Sequence, residues 1–349
     1  MKKRIGVLFG GCSTEYEVSL KSAYSVLQHM NRKLYDIVMI GITREGSWYL
    51  FEGNVDKIFK DTWIVDNSCI PAVISPNKRD HGLLIFKKNN VERLKLDGVL
   101  PILHGKNGED GTVQGLCELA GIPLIGCGTL ASALCMDKDL AHRVVESIGI
   151  KVPKAVVFKE MEESAEAVEK KLQGLKFPMF IKPVKSGSSF GITRITKMEE
   201  AYTAIKLAFA HDDLVIAEEG IEGCEVGCAV LGNQDLVVGR VDEIELSQGF
   251  FDYTEKYSLK TSQIHMPARI EGVVEKKIQE TAKEIYRVLG CRGFARVDLF
   301  LTRKGELYFN EVNTIPGFTG HSRYPNMLKG IGMSFEEIID QIIRLAVGL

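Results

Sequence analysis

The chain lacks the paired cysteines that mark zinc ribbons, thioredoxin-type redox centres and secreted disulfide scaffolds. Its eight cysteines (Cys12, Cys69, Cys117, Cys127, Cys135, Cys224, Cys228 and Cys291) are scattered, with no C-x-x-C pair. Cys224 and Cys228 stand four apart, but no second Cys or His cluster completes a tetrahedral zinc site. Free buried thiols in a reducing cytoplasm are expected. Charge of one sign is also missing: Lys+Arg number 44 against Asp+Glu 46, a formal net charge of −2. Such a balance gives no long-range basic field to attract nucleic acid or anionic lipid. No apolar run is long enough for a membrane span. Ile5 to Phe9 is too short for a signal-peptide core, and Glu15 and Glu17 follow it. Repeats, low-complexity tracts and charged tails are absent. So are two nucleotide fingerprints. There is no G-x-x-x-x-G-K-[ST], and the Gly10-Gly11 turn does not complete G-x-G-x-x-G. This excludes a P-loop and argues against a dinucleotide-binding oxidoreductase.

What is present fits a soluble globular chain of two or three domains. The 349 residues are 45% hydrophobic and 26% charged, more than one core normally serves. Near the N-terminus, apolar strands at Ile5–Phe9, Ile37–Ile42 and Leu96–Leu103 alternate with helices at Val18–Met30 and Val113–Ala120. Pro123 to Ile125 reads as a further short strand. The alternation implies an open α/β domain with its ligand crevice at the strand C-termini, where Glu15 and His104 fall. A helix at Asp137–Ile148 precedes strands at Phe177–Pro183, Leu214–Glu218 and Glu225–Leu231. Helices follow at Glu275–Leu289 and Phe335–Val347.

The densest chemistry lies in a hairpin. Phe294–Leu301 and Leu307–Asn313 both alternate like strands, and the turn between them carries Gly305. A turn centred on Lys304-Gly305 sets Asp298 opposite Glu311 and Arg296 opposite Asn313, and puts Phe294, Phe300 and Phe309 on the same face. Opposed carboxylates repel unless a cation lies between them. Oxygen ligands with room left for phosphate oxygens suit Mg²⁺. Other segments add to this. Lys182 ends a strand, and the Ser/Gly loop through Ser188 and Ser189 offers backbone N–H groups to an anion. Glu218, Glu219 and Glu225 sit at a strand junction, placed to accept from an adenine amine or ribose hydroxyls. Asn313 to Arg323 forms a turn in which the Gly317 N–H can face an oxyanion. Residues 248–267 form an irregular stretch of the kind used as lids.

Together these stretches resemble the ATP-grasp carboxylate–amine ligases, and within them the D-alanine–D-alanine ligases. The likeness covers essentially the whole chain. It rests on FGGCSTEYEVSL (9–20), LHGKNGEDGTVQG (103–115), SALCMDK (132–138), FIKPVKSGSSFG (180–191), FDYTEKY (251–257), GFARVDLF (293–300) and FNEVNTIPGFT (309–319). The resemblance implies an α/β, three-domain ATP-grasp fold. The N-terminal open α/β domain (1–136) would hold the first D-alanine, with a small central α+β domain at 137–216. A C-terminal α+β domain (217–349) would carry the lid, the metal site and the second substrate. ATP phosphorylates one carboxylate and an amino acid attacks the acyl phosphate. Lys138, Lys182, Ser188, Ser189 and Lys256 would contact the phosphates. Glu218, Glu219, Ile221, Glu225, Phe300 and Asn310 would complete the ATP site. Asp298, Glu311 and Asn313 would hold two Mg²⁺ ions, with Mn²⁺ able to substitute. Glu15 and His104 would bind the first D-alanine. Glu15, Ser188 and Tyr257 resemble the trio that closes the lid, and Arg296 and Gly317 would face the oxyanion. A cytoplasmic protein is implied, and a homodimer is an assembly common in the family.

The second substrate is marked by a departure. Ser322 of the ligase signature is followed by Arg323, where many housekeeping ligases carry an apolar residue. This is similar to the vancomycin-resistance ligases. Lys256-Tyr257 is kept, unlike in the D-lactate enzymes, which leaves the D-alanine–D-serine type. Asp242, Phe251 and Arg323 would then shape the D-serine pocket. Two alternatives stand beside this reading. One is a housekeeping D-alanine–D-alanine ligase, with Arg323 as a general carboxylate clamp. The other is a non-catalytic nucleotide-binding regulator, which would release no ADP.

Overall fold

A computed structural model describes residues 2–187, 191–246 and 262–348. Seven strands form the N-terminal sheet. β1 (Lys3–Gly10), β2 (Tyr35–Ile42), β3 (Trp48–Phe51), β4 (Cys69–Ile74), β5 (Gly82–Phe86), β6 (Val91–Lys95) and β7 (Gly98–Pro101) lie in the order β6-β5-β4-β3-β2-β1-β7. β1 pairs in parallel with β2 and β7. Its apolar run is buried on both faces, as a central parallel strand should be. The remaining pairs are antiparallel hairpins. Helix α1 (Tyr16–His29) turns Leu20, Ala23, Val26 and Leu27 into this core. The short α2 (Asp56–Phe59) leads to Trp63, which is fully buried edge-on to Phe9 at 5.0 Å and donates its indole N–H to Tyr16. Helices α3 (Thr112–Ala120), α4 (Thr129–Met136) and α5 (Lys138–Glu146) follow.

The second sheet holds β8 (Ala155–Phe158), β9 (Met179–Pro183), β10 (Thr193–Ile195) and β11 (Val215–Glu219) in the order β10-β9-β11-β8. Helices α6 (Ala165–Leu172) and α7 (Ala201–Phe209) close its core. The third sheet is built on β12 (Gly223–Gly232). Around it lie β13 (Val237–Val238), β14 (Asp242–Leu246), β15 (Ser262–His265), β16 (Gly293–Thr302) and β17 (Leu307–Asn313), in the order β15-β14-β12-β16-β17 with β13 on β12. Helix α8 (Gly272–Val288) packs on this sheet through Ile278, Ala282 and Ile285. Helices α9 (Arg323–Lys329) and α10 (Phe335–Val347) pack between this sheet and the N-terminal one.

Several sequence expectations need correcting. Pro123–Ile125 makes only a single bridge, Val99 to Leu124, and the third apolar strand is confined to Gly98–Pro101. A domain boundary after residue 216 falls inside β11, which runs to Glu219. Helix α5, expected to open the central unit, buries Ala141 and Val145 in the C-terminal core instead. The eight cysteines are free, but Cys12 is exposed and Cys69 and Cys224 are half-buried.

The hairpin register is met by a different route. The turn centres on Lys304, with Thr302 N–H donating to Glu306 O and Gly305 N–H to Thr302 O. That turn sets Leu301 against Leu307 and Leu299 against Phe309. A β-bulge then leaves Asn310 without a partner across the ladder. Beyond it Asp298 faces Glu311, and Arg296 faces Asn313. One extra residue flips every side chain that follows. Phe309 therefore does not share the polar face; it is buried in the opposite core with Val297 and Leu299.

Because Trp63 fills the centre of the N-terminal core, Trp63→Ala should cost about 3–5 kcal/mol of stability. A lowered unfolding midpoint by calorimetry checks this; an unchanged midpoint would contradict the packing described.

Candidate active site

A cavity of about 350 Å³ opens between the second and third sheets. Lys182 from β9 and Glu218 from β11 stand on its floor, their Nζ and Oε2 atoms 2.6 Å apart. Both side chains are buried. Burial alone would raise the Glu218 pKa, but Lys182 and His142 outweigh it and hold the carboxyl below its usual range. Lys138, at the start of α5, donates to Ser186 O at 2.6 Å. Glu219, Ile221 and Glu225 from the β11–β12 junction line the same cavity, with Phe300, Asn310 and Glu311 from the hairpin. Two lysines beside an apolar, acid-edged slot suit a nucleotide: cations for phosphates, acceptors for base and ribose.

Behind this cavity lies a buried charge network. Asp298 is 1% exposed. Its Oδ2 accepts from Arg296 Nη2 at 2.7 Å and from Asn313 Nδ2 at 3.0 Å. Arg296 Nε lies 2.9 Å from Oδ1. Arg323, the first residue of α9, grips Asp242 through two bonds, Nε to Oδ2 at 2.7 Å and Nη2 to Oδ1 at 2.8 Å. Its Nη1 reaches Glu225 Oε1 at 3.1 Å, and its Nη2 lies 3.3 Å from Asp298 Oδ1. Burial disfavours the charge on Arg323, but Asp242 and Asp298 outweigh it and raise its pKa. Burial likewise opposes charge on Arg296, and Asp298 reverses the balance. Gly227 of β12 faces this cluster and donates its N–H to Asp242. A Cβ there would collide with Arg323 Nη2 and lie 2.7 Å from Asp242 Oδ1.

At the other end, Glu15 caps the start of α1 and is buried. Its carboxylate is walled by Gly105 and Gly187; a Cβ on either would come within 2.8 Å of Glu15 Oε2. His104 is buried beside it. Its Nδ1–H donates to Ile315 O at 2.9 Å and its Nε2 accepts from Ser22 Oγ at 3.2 Å. The carbonyl partner fixes the neutral tautomer, and burial lowers the His104 pKa despite Glu15. Glu109 accepts from Gly105 N–H at 2.8 Å and Ile315 N–H at 3.1 Å. Burial, with Glu15 and Glu311 nearby, pushes its carboxyl up to about 8. Both polar groups of Ile315 are thus tied to the 104–109 loop. Ser322 Oγ accepts from Thr319 N–H at 2.9 Å and lies against Gly317.

Most expected positions therefore converge: Lys138, Lys182, Glu218, Glu219, Ile221, Glu225, Phe300, Asn310 and Glu311 at the cavity, and Arg296, Asp298, Asn313, Asp242 and Arg323 behind it. Glu15, His104, Gly317 and Ser322 gather at the N-terminal rim. Ser188, Ser189, Phe251, Lys256 and Tyr257 lie outside the described residues. His104 is closer to a strut than to an open ligand, since both ring nitrogens are spent on protein atoms. Glu109 and His142 are absent from the sequence reading. Glu109 looked like one acid in a polar turn. His142 carried a faint signal, standing one helical turn after Lys138.

Among the described residues no cluster of three or more acidic, His or Cys side chains is arranged around a metal position. Two opposed carboxylates and an amide remain, hard oxygen donors that need phosphate or water to complete a shell. Asp298 is held by Arg296 and Asn313, and half-exposed Glu311 lines the cavity. The set fits Mg²⁺ brought in with a nucleotide.

Comparison with known proteins agrees with this geometry. Residues 4–127 match the D-ala D-ala ligase N-terminus model, and residues 144–344 match the D-ala D-ala ligase C-terminus model. The vancomycin B-type resistance protein VanB of Enterococcus faecalis is 45% identical over 352 residues, covering 99% of each chain. The crystal structure of the VanG D-Ala:D-Ser ligase from Enterococcus faecalis superposes with a TM-score of 0.92 at 58% identity, over 99% of both chains. The D-alanine–D-alanine ligase of Coxiella burnetii gives 0.87 at 32% identity, over 99% of this chain and 94% of that one. The motifs, the three sheets and the two family matches lead to one conclusion: this chain belongs to the D-alanine–D-alanine ligase family.

Proposed function

We propose that this ATP-dependent ligase joins D-alanine to D-serine through a D-alanyl phosphate. The observation that carries the reading is Arg323, its side chain 10% exposed and bidentate on Asp242 beside the Arg296–Asp298 pair. The 58% identity to a D-Ala:D-Ser ligase structure, against 32% to a D-alanine–D-alanine ligase, supports the same choice.

The proposed chemistry runs as follows. Glu15 takes the ammonium of the first D-alanine, so its carboxylate points at the nucleotide. A carboxylate oxygen attacks the γ-phosphorus and ADP leaves. Lys138 and Lys182 position the phosphates, and positioning with charge neutralisation is most of what such a step needs. Mg²⁺ held by Asp298, Glu311 and Asn313 would neutralise the developing phosphate charge. The amine of the second amino acid, having lost a proton, attacks the acyl carbon. Arg296 and the Gly317 N–H face the resulting oxyanion, and collapse expels phosphate. Outside the described residues, Ser188, Ser189, Lys256 and Tyr257 would cover the reactants.

Selectivity follows from donor arithmetic. A guanidinium has five N–H groups. In Arg323 the Nε hydrogen, one on Nη2 and one on Nη1 donate to carboxylates, and Nη2 also pairs in charge with Asp298 at 3.3 Å. Among the described residues, one Nη1 and one Nη2 hydrogen make no hydrogen bond, and either can meet a hydroxyl oxygen. An apolar pocket separates isosteres differing by a hydroxyl only about 10²-fold. A pocket that bonds the hydroxyl can reach about 10⁴-fold, because the smaller substrate leaves buried groups unpaired. Asp242 orients the guanidinium, and Phe251 would supply a wall.

Three outcomes are expected. Given ATP, Mg²⁺, D-alanine and D-serine in equal amounts, the enzyme should yield mainly D-Ala–D-Ser with matching ADP release. Predominant D-Ala–D-Ala by mass spectrometry would establish the housekeeping reading instead, and no amino-acid-dependent ADP would mean a regulator. Arg323→Met should lower the D-Ser to D-Ala product ratio by about tenfold or more; an unchanged ratio would remove Arg323 as the selector. Gly227→Ala should cut kcat about 100-fold while the chain stays folded by circular dichroism, because displacing the Arg323–Asp242–Asp298 cluster misplaces reacting groups.

A further inference from the structure

His142 belongs to none of the roles above, yet it touches both walls of the cavity from behind. It lies on α5, one turn after Lys138, and is buried. Its Nε2 is 2.8 Å from Asn310 O. A carbonyl can only accept, so Nε2 carries the hydrogen. The ring packs edge-on to Phe309, with centroids 5.4 Å apart. Its Nδ1 faces Glu218 Oε1 at 3.7 Å, and among the described residues neither atom has a hydrogen-bond partner. Burial lowers the His142 pKa, with Lys182 and Lys138 adding to that effect and Glu218 and the Asn310 carbonyl opposing it.

The orientation is informative. In a neutral ring the hydrogen goes either to Asn310 or toward the Glu218 carboxylate, and the ring is placed to serve Asn310. Asn310 is the bulge residue, the one left without a partner on β16. Closing the bulge would slip β17 by one residue. Asn310 would then face Asp298, and Glu311 would turn into the core. The bulge therefore needs a donor from outside the ladder, and His142 provides one.

We propose that His142 is a positioning residue that holds the Asn310 bulge open and thereby keeps Glu311 opposite Asp298. This rests on the reading of Asp298 and Glu311 as the metal pair. It acts on the metal-dependent part of nucleotide binding and on nothing that touches the amino acids.

Calorimetric titration of ADP with and without Mg²⁺ tests it on the wild type, His142→Ala, His142→Gln and His142→Asn. In the wild type Mg²⁺ tightens ADP binding. In His142→Ala that gain should shrink about tenfold, the usual cost of losing an outer partner of a metal ligand, while ADP alone binds nearly as before. Gln carries an amide N–H at similar reach and should restore the gain; Asn is too short and should not. A full Mg²⁺ gain in the Ala variant overturns the proposal. So does a Gln variant as poor as the Asn variant, a comparison that serves if the Ala variant does not fold. No Mg²⁺ gain in the wild type overturns the metal reading itself, and the inference with it.

Discussion

A carboxylate with almost no access to water, Asp298, constrains the whole C-terminal half of this molecule. Burying an unpaired charge costs several kcal/mol, so such a group persists only where cations and donors surround it. Here Arg296, Asn313 and Arg323 do so from β16, β17 and α9. Each of these needs its own support. A second buried guanidinium requires a second carboxylate, and Asp242 supplies it from β14. Four groups packed that closely leave no volume on the neighbouring strand, which is why Gly227 sits there. Arg296 and Arg323 bring two positive charges; Asp298, Asp242 and Glu225 bring three negative ones, and Glu311 adds a fourth nearby. Among the described residues the cluster carries more carboxylates than guanidiniums, a setting that suits a divalent cation better than a bare triphosphate.

The same constraint explains why the domains meet where they do. Ile315 lies between the strand bearing Glu311 and the helix that begins with Arg323. Its N–H is held by Glu109 and its carbonyl by His104, both from the loop after β7. The N-terminal domain thus does more than place Glu15 at the rim of the site. It fixes the backbone that carries Gly317 and Ser322, and sets the distance between the two ends of the site. Helix α5 has a comparable part. Lys138 lines the cavity from it, while Ala141, Val145 and His142 fasten it to the third sheet.

Much of this was legible in the sequence because the relevant signals are local. Alternation in 294–301 and 307–313 gave the hairpin, and apolar runs gave β1 and β2. Lys182 at a strand end and the acids at 218, 219 and 225 marked the cavity. What escaped has a physical reason in each case. The turn was placed half a residue off, and the Asn310 bulge cancelled the error beyond it. A bulge is set by contacts such as that of His142, which lies 168 residues away in the chain. Phe309 was put on the wrong face for the same reason. Glu109 was invisible because its role depends on Ile315, more than two hundred residues away. Helix α5 stands at the expected start of the central unit, yet its buried face, Ala141 and Val145, packs in the C-terminal core.

On the proposed reading, Arg323 would bring selection and activation onto one atom. Asp298 Oδ1 receives Arg296 on one side and Arg323 on the other. If Arg323 senses the hydroxyl of the second amino acid, any shift of its guanidinium is felt at the carboxylate that helps place the metal. A substrate lacking the hydroxyl would leave a buried N–H unpaired. It would also loosen Asp298 at the moment phosphate charge must be neutralised. Discrimination of this kind falls on the transition state as well as on binding, and it acts on the rate of the step that forms the peptide bond.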